Sequence, residues 1–194
     1  LLAMMAKYIL ECEKGPLVTP VSSSQRMADV AKEASVELYW TAVGSINVAR
    51  KMMEVGAVFG GEGNGGLIFP KHQYCRDGAM TCAKILEILA KGNKLSELAK
   101  SVPQYFNAKT KIPSVNTQTT MEIVKKEASG LGYKMDTIDG VKIWYEDGWV
   151  LIRPSGTEPI FRIFAEAKKQ ERAEELMQEG LQMVIRAEKA SAPK

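Results

Sequence analysis

Histidine is almost missing. His72 is the single imidazole in 194 residues. A structural zinc ion wants about four nitrogen, sulfur or oxygen ligands in a tetrahedron, so such a site is not expected. Cysteine is scarce too: Cys12, Cys75 and Cys82 form no C-x-x-C pair and leave one over. That excludes a disulfide framework, and free thiols point to a reducing cytoplasm. There is no long apolar run. The longest low-charge stretch, Val55 to Gly61, is far below the roughly 20 residues that span a bilayer, so no membrane partner is expected. Net charge is only +3, and Lys and Arg form no stripe, so nucleic acid is not an expected partner. The chain also lacks an initiator Met and a basic segment ahead of its first apolar residues. LLAMMAKYILE therefore reads as an amphipathic helix, not a signal peptide. It implies a longer parent polypeptide, or else an unusual boundary or proteolysis.

What is present is ordinary globular material, 45% hydrophobic and 25% charged, which allows one large domain or two small ones. After the first helix, residues 16–23 read as a strand. A helix follows over 24–34, with Ser23 or Ser24 as a candidate cap. VELYW (36–40) reads as a strand, and Ser45 to Val55 as a helix stopped by Gly56, with Ile46 and Met53 among its apolar residues. Strands are expected at 57–61 and 67–69, helices at 78–91 and 95–101. This alternation predicts an α/β domain with a mixed sheet over residues 1–105. Beyond Pro103 the pattern changes. An extended stretch (105–112) precedes a helix over 119–129, where Thr119 and Glu122 have capping-box spacing and Gly130 lies past the end. Strands at 133–138, 141–145, 149–152 and 160–167 are separated by Asp139-Gly140, Asp147-Gly148 and a longer loop. The Asp-Gly pairs signal hairpins. A helix over 171–189 completes a smaller α+β domain with an antiparallel sheet, residues 106–194. SAPK (191–194) is expected to fray.

Two loops carry chemistry. RPSGTEP (153–159) sets Arg153, Ser155, Gly156 and Thr157 between two strands. A guanidinium fork suits phosphate oxygens, the hydroxyls donate, and glycine lets backbone N–H groups converge on an anion. An ordinary turn, with Arg153 paired to Glu158, accounts for the same residues. GGEGNGG (60–66) has five glycines in seven positions, interrupted by Glu62 and Asn64. In extended backbone these two side chains would share a side. A carboxylate and an amide there would accept and donate to sugar hydroxyls, with Gly63 and Gly65 admitting the ring. A flexible hairpin tip is the plainer reading, but a tip needs fewer glycines.

VSSS (21–24), TAVG (41–44), GGEGNGG, RDG (76–78), DGVKI (139–143) and RPSGTEP occur in one order. In that order and spacing the chain resembles the C-terminal half of the α-D-phosphohexomutases, the family of phosphoglucomutase, phosphomannomutase and phosphoglucosamine mutase. The resemblance implies the family's third domain followed by its fourth. It implies that Glu62, Gly63, Asn64 and Gly65 contact the sugar. Arg153, Ser155, Gly156 and Thr157 would grip the phosphate that is not transferred. The implied reaction moves phosphate between O1 and O6 of a hexose phosphate, with Mg²⁺ and a hexose bisphosphate intermediate. Both loops would then face one cleft. Many members carry a basic residue near Ile46 and a histidine where Gly66 stands; Lys71, His72 or Arg76 are candidates to replace that charge or donor. The family's phosphoserine and its aspartate-rich metal loop belong to N-terminal domains. No D-x-D-x-D stretch occurs here, and Ser22, Ser23 and Ser24 match nothing catalytic. The expectation is a recognition portion, inactive alone, with the missing domains as partners and possible self-association. A stand-alone phosphosugar-binding module is the alternative.

Overall fold

The computed structural model describes residues 1–191, so the expectation of fraying at residues 192–194 lies outside the described residues. The chain divides into two compact units, one spanning Leu1–Gln104 and the other beginning at Tyr105.

The first unit opens with α1 (Leu2–Cys12) and β1 (Leu17–Pro20), followed by α2 (Arg26–Ala34) and β2 (Leu38–Thr41). Next come α3 (Ser45–Val55), β3 (Phe59–Gly61), β4 (Leu67–Ile68), α4 (Gly78–Ala90) and α5 (Leu95–Lys100). The sheet order is β2-β1-β3-β4. β1 is parallel to β2 and to β3, while β4 returns antiparallel to β3, so the sheet is mixed as expected. Apolar residues cover both faces. Val18 and Ile68 pack with Val48, Ala49 and Met52 of α3. Leu17, Phe59 and Leu67 pack with α1, α2 and Ile88 of α4. Gly56 ends α3 with φ +62, a left-handed conformation that glycine adopts at little cost. Ser23 is no cap; it is buried and bonded to Thr19, while Ser24 Oγ accepts the Arg26 N–H at 3.2 Å. Ile46 and Met53 do not join the core face of α3 but stand 65% and 56% exposed. Leu86 and Leu89 of α4 are also exposed, because that helix is apolar around more of its circumference than the core contacts.

The second unit contains β5 (Phe106–Pro113), α6 (Thr117–Gly130), β6 (Lys134–Asp136), β7 (Val141–Trp144), β8 (Gly148–Pro154), β9 (Ile160–Ala167) and α7 (Gln170–Ser191). Its sheet is antiparallel throughout, ordered β5-β9-β8-β7-β6. Val141, Ile143, Val150, Ile152, Phe161 and Ile163 form one core with α6 and α7. Alternation therefore turns Lys142, Leu151, Arg153 and Arg162 to the other face. Helix α6 starts two residues before the expected point. Asn116 is its cap, accepting the Thr119 N–H at 3.3 Å, so the Thr119–Glu122 spacing is not a capping box. Gly130 is the last helical residue, and the left-handed position falls at Gly132. Among the described residues no helix is long and apolar enough to cross a membrane.

One residue on that second face is unusual. Lys142 is 1% exposed, with Nζ 3.8 Å from the Trp149 ring centroid and 4.3 Å from that of Trp144. Burial pushes its ammonium down to about 7, opposed in part by Glu166 and Asp136. In the unfolded chain the same group holds its proton to about pH 10.4. Between those values the unfolded state carries the extra proton, so this lysine makes stability rise with pH. The thermal midpoint of the native protein, relative to Lys142→Met, should therefore climb from pH 7 to pH 10. Parallel curves for the two proteins would remove the effect.

Candidate functional site

Strand order places the first cluster. The chain leaves β1 toward β2 on one side, then crosses to β3 on the other and goes on to β4, so the connections after β1 and β3 run in opposite directions. Open α/β sheets bind ligands at such a divergence. Here the loop after β1 meets the loop after β3. Thr19 Oγ1 lies 2.8 Å from the Gly61 carbonyl and 2.6 Å from Ser23 Oγ. A single hydroxyl hydrogen on Thr19 given to Gly61 leaves Ser23 as the donor to Thr19.

The glycine run is not extended. The Glu62 N–H donates to the Gly66 carbonyl at 2.9 Å, and the Gly65 N–H to the Glu62 carbonyl at 3.1 Å. Asn64 Oδ1 accepts the Gly66 N–H at 3.0 Å. The run is thus the hairpin connection between β3 and β4, and the alternation argument for Glu62 and Asn64 does not apply. The glycines have separate causes. Gly65 has φ +97. A Cβ on Gly60 would meet the Val18 carbonyl at 2.9 Å, and one on Gly61 the Gly66 carbonyl at 2.7 Å. Gly63 is different: its nearest neighbour is Ser23 Oγ at 4.0 Å, so the space above it is open. Beside it, the Glu62 side chain is 9% exposed. Its only partner among the described residues is the Arg76 guanidinium, with Nη1 to Oε2 at 3.7 Å. A nearly buried carboxylate that accepts no close hydrogen bond leaves a strong acceptor for an arriving donor.

The second cluster lies at one end of the antiparallel sheet. β8 runs on through Pro154, so Arg153 is a strand residue and only 155–159 form the loop. Arg153 Nε donates to Asp139 Oδ2 at 2.9 Å, each side chain 14% exposed. Asp139, not Glu158, is its partner. Glu158 pairs with Arg162 instead. The pairing through Nε leaves both terminal nitrogens of Arg153 without a partner among the described residues, so a planar fork remains for an oxyanion. The Ser155 N–H donates to the Ile160 carbonyl at 2.9 Å, closing the loop. Gly156 and Thr157 are exposed at its tip, and nothing lies within 4 Å of a Cβ placed on Gly156. Arg162 stands directly across from Arg153, and Lys111 across from Arg162. Like charges in adjacent register are unfavourable by themselves. The carboxylates of Asp139 and Glu158 offset two of these three cations, on Arg153 and Arg162.

The profile described as phosphoglucomutase/phosphomannomutase, alpha/beta/alpha domain III, matches residues 1–106, and that of the phosphoglucomutase/phosphomannomutase C-terminal domain matches residues 94–182. The chain belongs to the phosphohexomutase family. It is 45% identical over 95% of its length to a phosphoglucomutase/phosphomannomutase of Thermococcus kodakarensis, covering 41% of that protein. It is 42% identical over 84% of its length to a phosphoglucosamine/phosphogalactosamine mutase of Sulfurisphaera tokodaii, covering 37% of that one. Among solved structures, a phosphoglucomutase/phosphomannomutase family protein of Burkholderia thailandensis superposes with TM-score 0.83 at 27% identity, over 99% of this chain and 42% of that one. The N-acetylphosphoglucosamine mutase of Aspergillus fumigatus, known in complex with GlcNAc-6P and magnesium, shares the fold at TM-score 0.70 and 15% identity, over 96% of this chain and 43% of that one. The chain thus spans about two fifths of the length of the relatives it matches.

Of the three basic candidates in the RDG region, Arg76 alone reaches the glycine loop. Lys71 pairs with Glu13 at 2.7 Å, and both line a cavity of about 370 Å³ with Tyr8, Phe69, His72 and Met80. His72 Nδ1 is 2.9 Å from Asp77 Oδ2. Asp77 caps α4 by accepting the Met80 N–H at 2.8 Å, which holds its carboxyl below the usual carboxylate range, with Gln73 and His72 adding to the effect. Asp139 and Arg162 escaped the sequence reading. The Asp-Gly pair signalled only a turn, and the pairing of residue 162 with 153 is a matter of register. No three His, Cys, Asp or Glu side chains among the described residues cluster as metal ligands, so the residues here do not fit a Mg²⁺ site.

Proposed function

We propose that this chain is the substrate-recognition portion of a phosphohexomutase that moves phosphate between O1 and O6 of a hexose phosphate. The observation that carries the reading is the available fork of Arg153, on the strand that leads into the loop of the open Gly156. Arg153, Ser155, Gly156 and Thr157 bind the phosphate that stays in place. Glu62 accepts from sugar hydroxyls, Asn64 presents its amide NH₂ outward, and Gly63 and Gly65 let the ring approach the backbone. Phosphoryl transfer depends on positioning and charge neutralisation, and this chain supplies positioning. Mg²⁺, the phosphorylated serine and turnover through a hexose bisphosphate belong to the rest of the intact enzyme, so this chain alone would be inactive. The setting is cytoplasmic in this reading.

Glucosamine phosphate is the rival substrate, favoured by the name of the Sulfurisphaera tokodaii relative. The deciding assay is interconversion of 1- and 6-phosphates by the intact protein, run with glucose, mannose and glucosamine phosphates. Glu62→Ala should change the ratio of kcat/KM between glucose 1-phosphate and mannose 1-phosphate. Loss of a hydrogen bond to a charged partner costs about 1.5–3 kcal/mol, roughly ten- to a hundred-fold. A variant that keeps the native ratio would end the role assigned to Glu62.

A further inference from the structure

The loop after β8 is held at its far end from outside its own hairpin. β9 lies between β8 and β5, and its pairing with β5 ends where Pro113 stands opposite Ile160. One residue further, the Ser114 N–H donates to the Pro159 carbonyl at 2.9 Å. Pro159 is the last residue of the loop 155–159. It has no N–H, so this carbonyl is its one backbone hydrogen-bonding group. Ser114 is buried, and its hydroxyl donates to Glu188 Oε1. Thr120 Oγ1, also buried, donates to the same oxygen at 2.9 Å. Apolar packing does not hold this turn, because the next residue, Val115, is 100% exposed. Glu188 stands toward the C-terminal end of α7, where the helix macrodipole disfavours a negative charge. Helix stability gives no reason for a carboxylate there; the two hydroxyls it receives do.

Resting on the phosphohexomutase reading, we infer that Glu188 is a positioning residue for the phosphate-binding loop. Its carboxylate fixes Ser114, and Ser114 fixes the Pro159 carbonyl. The near end of the loop is held separately, by the Ser155 N–H on the Ile160 carbonyl and by Asp139 on Arg153 Nε. Between these two anchors, residues 156–158 are exposed, and Gly156 restricts the backbone least of any residue. The far anchor therefore sets where the tip lies. A loop ordered before the anion arrives loses less entropy on binding it.

The test uses the intact enzyme with glucose 1-phosphate and mannose 1-phosphate, beside thermal melts. Glu188→Met removes the acceptor. Ser114→Ala removes the hydroxyl and keeps the N–H bond to Pro159. Each should raise KM about three- to ten-fold, the worth of one hydrogen bond, with kcat within about two-fold of native. The double variant should be no worse than the poorer single one, because both substitutions cut one chain of contacts. Glu188→Gln keeps an acceptor oxygen and should retain most of the native KM. A purely structural Glu188 would instead give a lower melting temperature with native KM in the folded variants. That result, or KM losses that multiply in the double variant, would overturn this inference alone. Ser114→Ala decides the matter where Glu188→Met does not fold. A native enzyme inactive on every hexose phosphate would overturn the phosphohexomutase reading and this inference with it.

Discussion

Arg153→Ala in the intact enzyme should lower kcat/KM for hexose phosphates by about ten- to a hundred-fold while leaving the fold in place. The side chain stands near the end of β8, beyond the buried run Trp149 to Ile152 that anchors the strand. Core packing therefore survives the truncation. What disappears is a planar fork already oriented by the Asp139 bond to Nε. A preoriented guanidinium pays little entropy when an oxyanion arrives, and its charge does not titrate at biological pH. Arg153→Lys should recover part of the loss, because an ammonium keeps the charge but cannot make two parallel bonds. Steady-state kinetics with glucose 1-phosphate and mannose 1-phosphate, beside a thermal melt, separate the two readings. Native kinetics in the alanine variant would refute the phosphate role. A lowered melting temperature with matching loss on every assay would instead assign Arg153 to structure.

Gly140→Ala is expected to have the larger effect on stability. Gly140 has φ +71, in the left-handed region. A Cβ there would lie 2.7 Å from Arg153 Cβ and 2.8 Å from Arg153 Cα, and nearer still to the Ile152 carbonyl. The left-handed backbone costs about 1–2 kcal/mol for a residue with a Cβ, and overlap in packed surroundings about 1–3 more. For a domain of this size each kcal/mol shifts the midpoint by about 4–8 °C, so a drop of about 10 °C or more is expected. Gly156→Ala is the matched contrast. Nothing lies within 4 Å of a Cβ at that position, so its melting temperature should hold while phosphate affinity falls. Equal melting temperatures for both variants would contradict the account of Gly140. Native affinity in Gly156→Ala would contradict the account of the loop tip.

Helix α3 and strand β9 fall at the expected residues, because apolar periodicity and a terminating glycine are local signals. Thr119 and Glu122 imitate a capping box inside the first turn of α6, so the pattern points to a start two residues late, while Asn116 holds the real cap. The composition of the glycine run allows an extended stretch and does not show its closure. Hydrogen bonds from Glu62, Gly65 and Gly66 make it a hairpin connection. The motif RPSGTEP sets Arg153 in the connection between two strands, yet the first of them extends to Pro154. The strand continues through it, and the Asp139–Gly140 turn packs against its backbone.

Local periodicity and turn chemistry determined the mixed-then-antiparallel architecture, and the order of short motifs carried the resemblance to the family. They also marked most residues of both loops. Only the tertiary structure decided which charges meet: Arg76 with Glu62 across Gly66, Arg153 with Asp139, and Lys142 between two tryptophans. Such neighbours are far apart or unmarked in the chain. They meet because strand register and helix packing bring separate segments to one place, and local composition does not encode that.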